Sequence, residues 1–420
     1  MAKRYARDKT PSLPPVEKVE VSEKHIKLRV VLFIVLLVIG VVAIGFGVSF
    51  LFAKESGWYE ISPENSQQLT GKGYSFYYYL EDEGFLKKSE RKAVTSAYST
   101  ALDKAYITFT NLEFGESVNI NTLNKKPNTE IIVDSALYSA LEKLKNAGIR
   151  NHFLAPLYPT YNNIYTTESD VFLKDYDPSE NSDVRAFFDK VLTYANDPNK
   201  VDVVLLGDNK VKLSVSADYI AFAQSEGITS FVDFGWMTNA FIVDYVADSM
   251  VAKNFTKGSF SSTDGFIRNF CTTNDSFFTN IYDVRGDQIY LSANFRYSKN
   301  MAIISYKGFI LSPADYGRYY QTDEGKVYTP FISPVDGLTK GPHPYLMVYS
   351  TSNKCVDLLT NTVNAYVGDS LDEVAIQNLP TFLISYVYCK DAKILTNDEN
   401  AVFNEVYHDE TFEYKVEVVK

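Results

Sequence analysis

The feature that most restricts what this chain can become is a run of 24 uncharged residues from Val30 to Ala53, VVLFIVLLVIGVVAIGFGVSFLFA. A helix of that length reaches across the hydrocarbon core of a bilayer with some tilt. The run exceeds the apolar part of a cleaved signal peptide, and neither a small-residue cleavage site nor a lipid-accepting cysteine follows it. It reads as one retained transmembrane helix. Residues 1–29 before it carry eight Lys/Arg against four acids, and a lone Lys54 comes directly after it. The positive-inside bias therefore keeps the N-terminus cytoplasmic and sends the rest of a single-pass protein outside the cell membrane. Four parts follow: a basic cytoplasmic tail (1–29), the span (30–53), a polar glycine-punctuated stalk (54–73) and an extracytoplasmic body (74–420).

Beyond residue 29 the chain carries 33 basic and 48 acidic residues, counted from totals of 41 and 52. An acidic body of this kind repels phosphodiester backbones, and no basic patch with interleaved aromatics offsets it, which excludes nucleic acid as a partner. The 31 Tyr and 28 Phe favour strands and layered aromatic packing. Three cysteines leave one unpaired in any disulfide scheme, and neither they nor the four histidines have metal-ligand spacing. Nucleophile-elbow, P-loop, H-E-x-x-H and C-x-x-C patterns are all missing from the sequence.

Periodicity predicts a strand at Tyr74–Tyr79 and a helix from about Ser89 to Phe109. Asp134 is placed to cap a helix whose Leu137, Leu141 and Leu144 form an apolar stripe ending before Gly148. Between 150 and 200 the pattern is weak and supports no assignment. VDVVLL and KVKLSV read as a hairpin through Gly207-Asp208-Asn209. Phe231 and Val232 read as a strand leading into a turn at Asp233-Phe234-Gly235, and Phe241, Val243, Val246 and Ala247 continue as a helix. After Phe260 further strands are expected around Gln288–Leu291, Met301–Ser305, Phe309–Leu311, Val327–Ile332, Tyr345–Tyr349, Phe382–Cys389 and Phe412–Val418, with a helix over Lys354–Val367. Such a mixture without strict alternation is α+β.

Five segments carry chemistry by their order: SVNINTLN (117–124), DFGWMTNAFIVD (233–244), FSSTDGFIR (260–268), FILSPADYGRYY (309–320) and YTPFISPVDG (328–337) followed by Val356-Asp357. In that order they resemble the ApbE family, the FAD:protein FMN transferases, whose motifs are S-x-I-x-x-L-N, D-L-G-G-I-A-K-G-Y-A-V-D, N-A-G-G-D-I-R, T-S-G-D-Y-x-R-Y, H-I-I-D-P-x-T-G and A-D-x-x-x-T. The resemblance implies a T-fold-related α+β domain. It also implies Mg²⁺-dependent transfer of FMN from FAD onto a Ser or Thr of an acceptor protein in the membrane or outside it. Glycines beside a pyrophosphate let backbone N–H groups approach the anion, and oxygen ligands suit Mg²⁺. By this resemblance Asp315 and Arg318 shape the reacting loop. Gly235, Asn239, Asp264, Gly265, Ser312 and Tyr316 lie against FAD, and Asp357 with Thr360 or Asn361 holds the metal.

The departures matter as much. Asn239 stands where the family has Lys, Trp236 and Ala240 where it has Gly, Pro330 where it has His, and Ser333 where it has Asp. Loss of one acid–base group lowers a rate by roughly 10²- to 10⁴-fold, so these replacements imply weakened or lost transfer. Two readings follow: a working flavin transferase, or a non-catalytic flavin-binding or protein-interaction ectodomain of a membrane complex.

Overall fold

Residues Tyr345–Ser350 are buried at every position, and Met301–Lys307 at all but two, a pattern suited to strands covered on both faces. They lie at the centre of a nine-stranded sheet. The computed structural model describes residues 56–64, 73–81, 84–153, 155–286, 288–298, 300–409 and 412–419. In chain order the principal strands are β1 (Gly57–Glu60), β2 (Tyr74–Leu80), β3 (Glu130–Ile132), β4 (Val201–Leu205), β5 (Lys210–Val215), β6 (Lys257–Ser262), β7 (Phe266–Cys271), β8 (Ser276–Arg285), β9 (Gln288–Ser298), β10 (Met301–Lys307), β11 (Tyr345–Ser350), β12 (Ser385–Lys390), β13 (Lys393–Thr396), β14 (Val402–Val406) and β15 (Lys415–Val418). The large sheet runs β1-β2-β6-β7-β10-β11-β12-β13-β15, and two smaller sheets run β14-β9-β8 and β3-β5-β4. Neighbours in the large sheet are antiparallel except the last pair, β13 with β15.

Alternation along the central strands supplies two cores. Ile304, Tyr306 and Val348 share one core with residues of helices α1 (Gly84–Phe109), α2 (Ser135–Asn146), α5 (Thr238–Ala252) and α6 (Cys355–Tyr366). Their neighbours Ile303 and Met347 face the β8–β9 hairpin through Ile281 and Phe295. One residue of shift thus exchanges a helix-packed side chain for a sheet-packed one. Asp134 accepts from the N–H of Ala136 and starts α2, as its position predicts. The β4–β5 hairpin turns through Asp208 and Asn209, both with positive φ.

Several expectations change. Part of the expected stalk is β1, which pairs with β2, and the folded unit runs from Ser56 to Lys420. Trp58 packs edge-on against Tyr79 and Phe277, which makes this short edge strand part of the body. The region from 150 to 200 is helical, with α3 (Tyr158–Tyr165) and α4 (Ser182–Ala195) forming an aromatic cluster of their own with Tyr328 and Ile332. Asn181 caps α4 by accepting from the N–H groups of Asp183 and Val184. Phe309–Leu311 is not a strand, because the N–H of Leu311 donates to the Asp315 carboxylate instead of a ladder. The strand expected from Phe382 begins at Ser385, after a 3₁₀ turn closed by Leu383 at φ 59°. The expected span, 30–53, lies outside the described residues, among which no helix is long and apolar enough to cross a membrane.

Candidate functional site

Phe231 and Val232 pair with a side chain rather than a strand. Asn124 Oδ1 accepts from the N–H of Phe231 (2.8 Å) and of Val232 (3.0 Å), while its Nδ2 donates to the Val232 carbonyl (2.7 Å). One buried amide thus plays the part of a neighbouring backbone, which removes the ladder that the sequence pattern anticipates. The Asn that ends the SVNINTLN segment therefore positions the turn that follows. In that turn Asp233 accepts from the N–H of Gly235 (2.9 Å) and from Asn111 Nδ2 (3.2 Å), and burial pushes its carboxyl above the usual range.

Gly235 has φ 52°, and a Cβ there would lie 2.3 Å from Cζ of Tyr158. The open face of this glycine is filled by a protein ring, itself held by a hydrogen bond from the Tyr158 hydroxyl to the His152 carbonyl (3.1 Å). Gly265, at φ 102°, is required in the same way, since its Cβ would meet the Ser305 carbonyl oxygen at 2.4 Å. Trp236 turns into an aromatic stack, edge-on to Phe331 (5.0 Å between ring centres) and Tyr306 (6.2 Å). The N–H of Gly235 donates to Asp233 Oδ1 (2.9 Å) and that of Gly265 to the Ser262 carbonyl (3.3 Å), so both are engaged within the protein rather than turned to an anion.

The structure does bring Asn239, Asp264 and Arg318 together. Asn239 Nδ2 donates to Asp264 Oδ2 (2.6 Å), and Asn239 Oδ1 accepts from the Tyr74 hydroxyl. Arg318 pairs with the same Asp264 oxygen (3.1 Å) and donates to Thr263 Oγ1 (2.8 Å) and the Ala314 carbonyl (3.2 Å). Burial, reinforced by the Asp264 charge, drives the Tyr74 hydroxyl well above its ordinary pKa, so it stays a neutral donor. Asn239 is neutral and engaged on both sides, and the Arg318 cation is neutralised by Asp264.

Asp315 is fully buried and pins its own loop. Its carboxylate pairs with Lys307 and accepts from the N–H groups of Leu311 (2.9 Å) and Ser312 (3.1 Å). Ser312 caps the 3₁₀ turn Pro313–Asp315, and the following Tyr316 is 68% exposed. Ser312 and Tyr316 line an open groove of about 700 Å³ between the end of α3 and the 310–321 loop, with Tyr165, Tyr320 and Gln321.

Asp357, Thr360 and Asn361 do not converge on a common point. One carboxylate oxygen of Asp357 pairs with Lys143 (2.6 Å), and the other accepts from the N–H of Lys354 (3.1 Å). Thr360 and Asn361 both donate to the Asp357 backbone carbonyl (3.1 and 2.7 Å). The donor set therefore does not fit Mg²⁺, because an ammonium already sits on the one carboxylate. Lys354 also pairs with Asp248 of α5 (2.6 Å). Asp248 lies about 15 Å along the helix axis from Thr238, so this corner is remote from the Gly235 turn. Among the described residues no group of three or more His, Cys, Asp or Glu side chains is arranged for a metal.

Two further motif positions act through packing. Asp244 pairs with Arg268 (2.6 Å) and accepts from the N–H groups of Cys355 (3.0 Å) and Val356 (2.9 Å), capping α6 from outside the helix. Sequence reasoning missed Tyr74, Lys143, Tyr158 and Lys307. Tyr74 and Tyr158 carried only the signal of aromatic residues, and the lysines only that of surface charge.

No family model matches the chain, and no curated protein matches it in sequence. Solved structures do match its fold. The chain is similar to the ApbE protein from Thermotoga maritima at 14% identity and a TM-score of 0.53, over 85% of this chain and 99% of that one. It is similar to the flavin transferase ApbE from Vibrio cholerae at 12% identity and a TM-score of 0.53, over 85% of this chain and 98% of the other. The motif order, the strand and helix arrangement and these two likenesses agree: the chain has a divergent ApbE-like fold.

Proposed function

We propose that this protein is an ApbE-like ectodomain, carried outside the cell membrane on residues 30–53, that has lost Mg²⁺-dependent FMN transfer. It serves as a non-catalytic binding module beside a partner protein. The observation that carries this reading is the Tyr158 ring packed on Gly235, the glycine that the resemblance sets beside the FAD pyrophosphate. Transfer of FMN from FAD to a hydroxyl is a phosphoryl transfer and needs positive charge aimed at the breaking bond; a divalent cation supplies it when bound. Here the chain directs its cations elsewhere: Arg318 to Asp264, Lys307 to Asp315 and Lys143 to Asp357.

A retained transferase is the second reading, favoured by the groove that still exposes Ser312 and Tyr316. One experiment decides between them. The full chain, purified in detergent, is incubated with FAD, Mg²⁺ and a Ser/Thr acceptor peptide. Colourless protein and unlabelled peptide are expected. A stoichiometric yellow complex that places FMN on the peptide overturns the proposal.

A further inference from the structure

The groove beside the 310–321 loop has a chemistry of its own. None of the residues that line it is charged, and its walls combine three tyrosines, Tyr165, Tyr316 and Tyr320, with the polar side chains of Thr166, Thr167, Ser312 and Gln321. Its volume of about 700 Å³ falls within the range of small-molecule sites. Two of the tyrosines are held in place. Tyr165 stacks on Tyr161 and donates to the Thr329 carbonyl (2.7 Å), and Tyr320 donates to Asp170 Oδ1 (2.6 Å). With those protons engaged, the two residues retain for a ligand their ring surface and acceptor lone pairs, and a preorganised site loses less entropy on binding.

The small polar groups are complementary to a ligand rich in hydroxyls. Thr166 and Thr167 donate to the backbone carbonyls of Asn162 (2.8 Å) and Ser169 (3.2 Å), so their lone pairs remain as acceptors. Ser312 Oγ accepts from the N–H of Ala314 (3.3 Å) and keeps its proton to donate, and the Gln321 amide supplies both kinds of group. A neutral lining penalises a charged ligand, which would leave water without a counter-charge. Flat apolar faces beside hydroxyl and amide groups match pyranose rings, whose C–H faces lie on aromatic rings while their edges hydrogen-bond. We infer that this groove binds an uncharged oligosaccharide, with Tyr316 as the exposed stacking platform. The inference rests on the reading that flavin transfer is lost, since the same groove carries Ser312 and Tyr316.

The test is isothermal titration of the full chain in detergent with cellotetraose, maltotetraose and chitotetraose, each alone, and with FAD in a separate arm. At least one tetrasaccharide is expected to bind, and Tyr316→Ala, a change at an exposed side chain, is expected to weaken it about tenfold, as loss of a stacked aromatic contact does. Far-UV circular dichroism of the variant checks that it is folded, and Gln321→Ala provides a second variant at an exposed position. Failure of all three sugars to bind at about 10 mM, where a site of roughly millimolar affinity is mostly occupied, overturns the inference. So does binding that neither variant changes. Binding of FAD overturns the closure of the Gly235 turn to flavin instead, while transfer itself is read by the acceptor-peptide assay, and both are independent of the sugar arms.

Discussion

Asp244 shows how a residue that looks like part of a site can serve the scaffold. Its carboxylate is buried, is raised in pKa chiefly by that burial, and is matched by Arg268 and two helix N–H groups. Asp244→Ala leaves Arg268 with only the looser pairing to Asp248 (3.6 Å) and the first turn of α6 without its cap. A loss of about 3–5 kcal/mol in denaturant unfolding is expected, the scale for breaking a buried pair. The sequence made both residues legible as motif positions but not their pairing, because order along a chain carries no distance. His152 gives a second expectation at this scale. It is buried, its Nε2 lies 2.8 Å from Asn364 Oδ1, and its Nδ1 has no hydrogen-bond partner. Burial holds its pKa below 6.5, as it does for His343. Their neutral forms thus contribute stability that is complete above about pH 6.5 and is lost as pH falls through the depressed folded-state values. Thermal melts should decline over that window, and the decline should be shallower in His152→Gln.

Among the elements, those with strong local signals were legible. The Asp134 cap with its leucine stripe and the Asp208-Asn209 hairpin form as their residues dictate. Helices α3 and α4 were not legible, because their apolar faces are built from Tyr and Phe with several polar neighbours, and only the contact with Tyr328 and Ile332 defines the buried side. The Gly235 turn was legible as a turn, but what faces it was not, since Tyr158 lies 77 positions earlier in the numbering. Gly235→Ala adds a Cβ that collides with Tyr158 and meets a positive φ. A loss of about 1–3 kcal/mol is expected from the strain alone. Combining it with Tyr158→Ala should cost less than the sum of the two single changes, and urea unfolding of the four-member cycle measures the difference.

At the scale of the molecule, the α+β class was legible from the mixture of strand and helix patterns, whereas the boundary of the folded body was not. Polar and glycine residues after Ala53 hid β1, whose Trp58 and the adjacent Ile61 pack into the body. A chain starting at Tyr74 should therefore be less stable than one starting at Ser56 by about 2–4 kcal/mol, the scale for exposing one aromatic and one aliphatic side chain. Chemical denaturation of the two truncations checks this. The Asn124 amide has a kinetic counterpart: it clamps a segment whose nearest bonded residue is 107 positions away. Closing so long a loop costs entropy that falls once the intervening β4–β5 hairpin and its helices have collapsed, so the Gly235 turn is expected to order on the late side of the folding barrier. Asn124→Ala should accordingly accelerate unfolding while leaving the refolding rate nearly unchanged, so that the turn opens and recloses many times within the lifetime of an otherwise intact fold.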